Sequence, residues 1–139
     1  MSNFKLNFLN TSLTKQNHEQ ESTGGFTAYV ARFGVAMPPP SADVNNVWYS
    51  VDIASVHWVT ISNYHSFTSG SSQYNWIKAD LGSVDRSKTP FVFVNTHAPW
   101  YNTNSAHQGD GEAQRKALES LFYSSGVDAV FTGHGEYYK

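Results

Sequence analysis

The chain has 139 residues, a formal charge of -2 and only 14% charged residues. This is enough chain for one domain with a buried core, and the charge argues against a nucleic-acid surface or a polybasic membrane patch. Cysteine is absent, which excludes disulfides and thiolate metal sites, so any metal must be bound by nitrogen and oxygen ligands. No apolar run approaches the roughly 20 residues of a membrane span, and no signal-peptide core is visible.

The first half of the chain predicts a polar loop, a short helix and a β-hairpin. Helical spacing of apolar residues predicts a helix over residues 26–33. Alternating apolar residues predict strands over 47–53 and 55–61, joined antiparallel by a tight turn at Ala54. His57 lies inside this alternation, which favours a structural histidine with satisfied hydrogen bonds over a functional one.

The second half predicts two helices that alternate with two strands. A helix from Ser71 or Ser72 to Leu81 has a serine cap, with Gly82 just beyond its end. The continuous apolar run 91–94 is typical of a strand covered on both faces, as in a parallel sheet. A further apolar strand is predicted over 127–132.

Between these strands, Asp110 is predicted to cap a helix over residues 111–123. The helix is expected to present one apolar stripe to the core and a polar face to water. The predicted stripe comprises Ala113, Ala117, Leu118, Leu121 and Phe122, and the predicted polar face comprises Gln114, Arg115, Lys116 and Glu119.

The order strand, helix, strand, repeated twice, predicts parallel strands joined by right-handed crossovers. His97 follows the first of these strands and His134 follows the second, so both should emerge at the same edge of the sheet. Ligands of open α/β sheets bind at the carboxyl ends of strands. His97 alone is more simply explained as a strand cap, but the second strand-end histidine favours a metal or anion site.

Several separated motifs resemble the purple acid phosphatases, within the calcineurin-like metallophosphoesterases. The resemblance covers residues 16–139 and implies an incomplete domain of that family, whereas residues 1–15 are expected to be a poorly ordered polar segment. The implied fold is α/β, a partial metallophosphoesterase sandwich of mainly parallel strands with crossover helices plus an antiparallel hairpin. The motifs are Trp48-Tyr49-Ser50, Val51-Asp52-Ile53-Ala54, Lys88-Thr89-Pro90-Phe91, Thr96-His97-Ala98-Pro99-Trp100-Tyr101-Asn102, Gly111-Glu112 and Val127-Asp128-Ala129-Val130-Phe131-Thr132-Gly133-His134.

The resemblance implies a phosphomonoesterase with a dinuclear metal centre, in which a ferric ion lies beside zinc, manganese or ferrous iron. Asn17, His97 and His134 are similar to the three ligands of the divalent metal in the family. His18 resembles the histidine that contacts the substrate phosphate. His107 resembles a histidine outside the metal ligands that assists the phosphate or its leaving group.

The sequence also departs from the family pattern. Nothing before residue 16 matches the Asp-x-Gly and Gly-Asp-x-x-Tyr motifs, which supply two aspartates and a tyrosinate. Gln16 replaces a glycine, and Glu136 stands where the ferric ion's histidine is expected, although glutamate is itself a hard-metal ligand. At most one divalent metal is therefore expected on this chain, which by itself should be weakly active or inactive.

Three interpretations stay open at this point. The chain is an acid phosphatase by family, or an inactive metal- or phosphate-binding remnant, or a truncated gene product. The substrate implied by the resemblance is a phosphate monoester. The open sheet edges of an incomplete sandwich predict self-association. Members of the family are commonly secreted or vacuolar, and the chain carries no readable signal for either compartment.

Overall fold

The computed structural model describes residues 27–33 and 47–134, which form a mixed α/β architecture as predicted. None of the helices in these two ranges is long and apolar enough to cross a membrane. The predicted boundary at residue 16 lies outside the described residues and stays a prediction. The elements are α1 Thr27–Phe33, β1 Tyr49–Ile53, β2 Val56–Thr60, α2 Ser72–Ser83, β3 Phe91–Thr96, α3 Glu112–Ser124 and β4 Ala129–Thr132.

The four described strands form one sheet in the order β1-β2-β3-β4. Strands β1 and β2 pair antiparallel through a tight turn in which Ala54 takes a φ of +53°. Strand β3 is parallel to both β2 and β4. The predicted hairpin and parallel strands are confirmed, and the carboxyl ends of β2, β3 and β4 therefore meet at one edge.

The two long helices pack against one face of this sheet and form the hydrophobic core with it. Apolar side chains alternate along the strands, because successive residues of a strand point to opposite faces. Trp100 closes one end of the core by stacking on Phe122 with ring centroids 5.3 Å apart. The core contains Val59, Ile61, Val92 and Val94 from the sheet side, Ile77 and Leu81 from α2, and Leu118 and Phe122 from α3.

The opposite face of the sheet carries an aromatic cluster, defined by Trp58, Phe91, Phe93 and Phe131. Trp58 stacks on Phe131 at 5.5 Å, and Phe93 meets both rings edge to face. Phe91 and Phe131 remain 50% and 45% exposed. The strand at 91–94 was expected to be covered on both faces. Among residues 27–33 and 47–134, the two long helices cover one face, whereas Phe91 on the opposite face stays half exposed, so the expectation is wrong for this part of the chain.

Helix α2 begins as predicted and ends later than predicted. The hydroxyl of Ser71 accepts a hydrogen bond from the backbone N–H of Tyr74 at 3.2 Å, which satisfies one of the unpaired donors of the first turn. The helix continues through Gly82 to Ser83 and ends at Val84 in an extended conformation. Gly82 is thus an interior residue, and the prediction that it follows the helix end is wrong.

Helix α3 begins at Glu112, and Asp110 does not cap it. The N-cap residue is Gly111, and no side-chain cap hydrogen bond is present. A Cβ atom on Gly111 would collide with the carbonyl of Pro99, so only glycine allows this close backbone approach. Asp110 instead points to His107 and His134.

The phase of α3 also differs from the predicted stripe. Its buried residues are Gln114, Leu118 and Phe122, which follow one another at intervals of one helical turn. Gln114, predicted to face water, is only 1% exposed, whereas Ala113, predicted to be buried, is exposed. The buried glutamine matters for the site, because its amide contacts the loops that carry His97.

His57 is a structural histidine, as predicted. Its Nδ1 lies 2.7 Å from Asp52 Oδ1 and its Nε2 lies 2.9 Å from Asp80 Oδ2, and Ser50 donates to Asp80 at 2.5 Å. Burial alone would lower the pKa of His57, but the hydrogen bonds to Asp80 and Asp52 outweigh it and raise the pKa above its ordinary value. His57 thereby links the β-hairpin to α2, at the end of β3 opposite from His97.

Candidate metal centre

His97 and His134 lie side by side at the edge where β3 and β4 end. Nδ1 of His134 is 2.8 Å from Nε2 of His97, and the ring centroids are 4.6 Å apart. The backbone N–H of Gly133 donates to the carbonyl of His97 at 3.0 Å, which ties the two strand ends together. The prediction that these two histidines meet at one sheet edge is confirmed.

The backbone of His97 is fixed by a side chain from the loop after β2. Oδ1 of Asn63 accepts hydrogen bonds from the N–H of His97 at 2.9 Å and from the N–H of Ala98 at 3.1 Å. The whole residue is buried, with only 4% of His97 exposed. The imidazole is therefore held in a defined place beneath the surface.

His134 has an unusual backbone conformation. Its φ is +66°, a left-handed value that is uncommon for residues other than glycine, although histidine tolerates it better than most. Uncommon backbone conformations persist where the surroundings fix them, and they cluster at functional sites. This conformation directs the ring back over His97, which suits a ligand placed at the end of a strand.

Asp110 and His107 complete the cluster from the loop between β3 and α3. Oδ2 of Asp110 lies 3.1 Å from Nδ1 of His107 and 3.3 Å from Nε2 of His134. The rings of His107 and His134 are 4.4 Å apart. The resemblance singled out His107, and the structure brings it to the predicted pair of histidines.

Asp110 was missed as a site residue because its position before a helix suggested a capping role. The signal that could have found it is the spacing His107-x-x-Asp110 in a loop that follows a strand-end histidine. The side chains of Asp110 and His107 are 42% and 32% exposed, whereas that of His134 is 16% exposed. The cluster is therefore open to solvent on the side of Asp110 and His107 and closed on the side of His97.

The donor set fits a divalent metal that accepts nitrogen and oxygen ligands. Potential ligand atoms of His107, Asp110 and His134 all lie within 4.8 Å of one another. Nδ1 of the His134 ring faces Nε2 of His97 instead. Two imidazoles on one tetrahedral zinc hold their nitrogens about 3.3 Å apart, so the observed 2.8 Å needs only a small opening.

A small cavity adjoins the cluster. Its volume is about 240 Å³, below the roughly 300–1,000 Å³ that drug-sized ligands occupy, so it suits a small group. Tyr64 and Phe67 form its apolar wall, whereas His97, Asp110 and His134 form its polar wall. A charged group held at the polar wall would thus have an aromatic surface beside it.

Arg115 of α3 is paired with two carboxylates. Arg115 contacts both carboxylate oxygens of Glu112 at 2.8 Å and Glu119 at 2.6 Å. The hydrogen bonds from Arg115 lower the pKa of Glu112 to about 2. Arg115 therefore stabilises the helix rather than contributing a spare positive charge to an anion.

Three of the predicted site residues cannot be placed relative to this cluster. Asn17, His18 and Glu136 lie outside the described residues. His97, His107 and His134 are brought together, and Asp110 is added to them. The predicted ligand roles of all these residues stay predictions.

Comparison with known proteins identifies the class to which this fold and this cluster belong. The family model described as Calcineurin-like phosphoesterase matches residues 7–135. The chain therefore belongs to the calcineurin-like phosphoesterase family.

Within that family, the chain is similar to plant purple acid phosphatases, which confirms the resemblance found in the sequence. It is 46% identical over 133 residues to purple acid phosphatase 22 of Arabidopsis thaliana and 47% identical over 133 residues to purple acid phosphatase 21 of the same plant. It is 42% identical over 117 residues to phosphoenolpyruvate phosphatase of Allium cepa. These alignments cover 91%, 91% and 82% of this chain but only 30%, 30% and 24% of the relatives.

A solved structure supports the same fold. The purple acid phosphatase PPD1 from yellow lupin (Lupinus luteus) seeds superposes with a TM-score of 0.67. The alignment covers 80% of this chain and 20% of that structure, at 23% sequence identity. The predicted α/β fold class is thereby confirmed.

Proposed function

We propose that the protein is a metal-dependent phosphomonoesterase of the acid phosphatase type. The observation that carries the proposal is the 2.8 Å approach of His134 Nδ1 to His97 Nε2 at the ends of adjacent parallel strands. Membership of the calcineurin-like phosphoesterase family supports the reaction class. The substrate class is a phosphate monoester, whose phosphate group suits the small cavity beside the cluster.

In this proposal His97 and His134 bind one divalent metal through the two nitrogens that face each other. Oδ2 of Asp110 lies 3.3 Å from Nε2 of His134, and in this proposal its negative charge keeps the proton on that nitrogen and leaves Nδ1 to bind the metal. Carboxylates commonly orient metal-binding histidines in this way and raise the basicity of the ligand. Asn17 and Glu136 are proposed as further ligands, on the resemblance alone.

A bound divalent metal lowers the pKa of a coordinated water and neutralises phosphate oxygens. His107 lies at the exposed side of the cluster and keeps a hydrogen bond to Asp110 at 3.1 Å. In this proposal His107 donates a hydrogen bond to a phosphate oxygen or a proton to the leaving oxygen. His18 is proposed to contact the phosphate as well.

The identity of the metal is also part of the proposal. The resemblance implies iron beside zinc, manganese or a second iron, and the absence of cysteine limits the ligands to nitrogen and oxygen. The described cluster offers one carboxylate and three imidazoles. Such a set suits zinc, ferrous iron or manganese rather than a soft metal.

A second candidate is a protein that binds metal or phosphate without turnover. The proposed assignment provides for one metal, bound by His97 and His134, whereas two-metal phosphatases place two cations roughly 3.5–4 Å apart. One cation can hold a phosphate and still leave the attack of water unassisted. Binding measurements and hydrolysis measurements on the same protein separate the two candidates.

The test is a calorimetric titration with zinc and manganese, run beside hydrolysis of nitrophenyl phosphate. We expect His97→Ala and His134→Ala each to weaken metal binding at least tenfold, and Asp110→Asn to weaken it less, because Asp110 acts through His134. His65→Ala, which removes a histidine outside the cluster, is the matched control and should leave the affinity unchanged.

The outcomes of this test distinguish the two candidate functions. Metal binding with metal-dependent hydrolysis supports the phosphomonoesterase, and metal binding without hydrolysis favours the second candidate. If Asp110→Asn and His107→Ala abolish binding while His97→Ala does not, the metal lies among His107, Asp110 and His134, and the ligand assignment is wrong. An unmodified protein that neither binds metal nor hydrolyses the ester overturns the proposal.

A further inference from the structure

A buried amide network lies directly behind His97, and its hub is Gln114 of α3. Oε1 of Gln114 accepts hydrogen bonds from Asn63 Nδ2 at 3.1 Å, from Trp100 Nε1 at 3.1 Å and from the hydroxyl of Thr96 at 2.7 Å. Its Nε2 donates to the carbonyl of Ser62 at 3.2 Å. One side chain thus connects α3 with the end of β3, the turn that follows β3 and the loop after β2.

Asn63 extends this network to the backbone of the metal-site histidine. Its Nδ2 is held by Gln114, and this fixes the direction of its Oδ1. That oxygen accepts from the N–H groups of His97 and Ala98 at 2.9 and 3.1 Å and lies 2.8 Å from the hydroxyl of Thr96. Two consecutive peptide groups at the histidine are therefore oriented by a single amide.

At the end of β3, the acceptor of the backbone hydrogen bonds changes from a backbone carbonyl to a side chain. The N–H of Ile61 still donates to the carbonyl of Asn95 at 3.0 Å, in the manner of a strand ladder. Two residues further along, Asn63 replaces a neighbouring strand as the acceptor for His97. The position of His97 therefore depends on an amide that itself depends on Gln114.

Burial strengthens the dependence of His97 on Gln114. Gln114 and Thr96 are each only 1% exposed, so water cannot readily replace a lost partner. Removing the amide of Gln114 would leave the indole N–H of Trp100 and the amide of Asn63 with unsatisfied hydrogen bonds, which is costly in a buried site. The loops are then expected to rearrange, and His97 with them.

We infer that Gln114 and Asn63 are positioning residues that hold His97 in its metal-binding place through this network. The inference rests on the proposed function, because it assigns a purpose to the metal-binding histidine. Neither amide needs to touch the metal. Residues that orient metal ligands commonly change metal affinity by 10–100-fold when they are replaced.

The test compares backbone amide exchange by NMR in the metal-free protein with zinc affinity by calorimetry. Gln114→Met keeps a similar volume and removes every hydrogen bond of the hub. We expect the amides of His97 and Ala98 to exchange at least tenfold faster relative to the amide of Val94 in the same strand. That internal reference cancels any change in global stability, and zinc affinity should fall by 10–100-fold.

One control variant and one alternative variant make the result decisive. Leu118→Ala lies one turn further along the same helix face and should lower the thermal midpoint without changing the exchange ratio or the zinc affinity. If Gln114→Met does not fold, the same two measurements are made on Asn63→Ala, because Asn63 is only half-buried.

The inference is overturned if the hub variants leave the exchange ratio of His97 and Ala98 unchanged. It is also overturned if that ratio rises while zinc affinity stays the same, since the network would then not position a metal ligand. Failure of the unmodified protein to bind zinc would instead count against the proposed function, and the exchange ratio would then decide alone whether the network holds His97.

Discussion

Replacing His57 by leucine should cost more stability than its small volume change suggests. Both ring nitrogens of His57 face carboxylates, at 2.7 Å from Asp52 and 2.9 Å from Asp80. A neutral imidazole has one N–H, so donation to both carboxylates requires the charged form. His57→Leu therefore removes a buried cation and leaves Asp80, whose side chain is 10% exposed, with the hydrogen bond from Ser50 but without the positive charge that it faces.

The size of the effect differs between the two carboxylates. Breaking a buried ion pair by removing one partner typically costs about 3–5 kcal/mol, and this is the loss expected for His57→Leu. The side chain of Asp52 is 63% exposed, and exposed ion pairs contribute about 0–1 kcal/mol. Asp52→Asn should therefore lose much less stability, which makes it the matched control.

The pH dependence has a defined sign. Because the folded pKa of His57 is raised above its ordinary value, its contribution is fully present below about pH 6.5 and is lost as the pH rises through the folded pKa. The free energy difference between the unmodified protein and His57→Leu should thus shrink above pH 6.5, by at most about 1.4 kcal/mol per pH unit.

Urea unfolding followed by fluorescence of the four tryptophans measures this difference between pH 5.5 and 8.5. Subtracting the variant removes much of the contribution of the other histidines. A loss below about 1 kcal/mol for His57→Leu, or a difference that does not change with pH, would refute the argument that a charged His57 holds the hairpin on α2.

Three further predictions concern the fold around the site. Gly111→Ala should lower the thermal midpoint and weaken zinc binding, because its Cβ would collide with Pro99 beside the cluster; unchanged melting would contradict this. Phe131→Ser should reduce self-association in sedimentation experiments, since Phe131 is 45% exposed on β4, the last strand in the sheet formed by the described residues; an unmodified protein that is monomeric contradicts it. Ser71→Ala should cost about 1 kcal/mol in urea unfolding, because it removes the cap of α2.

The sequence was sufficient for the framework of the site. Continuous apolar runs and the alternation of strands with helices determine that β3 and β4 are parallel, and parallel strands place His97 and His134 at one edge. This inference needs only periodicity and the handedness of crossovers. It does not need the exact ends of any helix.

The residues that complete the site could not be found in this way. The positions of Gln114 and Asp110 depend on where α3 begins and how it is rotated, and its N-cap Gly111 lies against the carbonyl of Pro99, a contact that the hydrophobic pattern does not reveal. Polar residues on a helix are ordinarily exposed, so a buried glutamine gives no signal in the hydrophobic pattern. Its burial depends on partners such as Trp100 and Asn63, which are distant in the sequence.

The most direct test of the central claim is zinc X-ray absorption spectroscopy of the zinc-loaded protein. We predict nitrogen or oxygen scatterers at about 2.0–2.1 Å and the outer-shell scattering of two imidazole rings. In His97→Ala the imidazole contribution should fall by one ring, whereas in the control His65→Ala it should not change. A spectrum without imidazole scattering, or one that His97→Ala leaves unaltered, would contradict a metal site between His97 and His134.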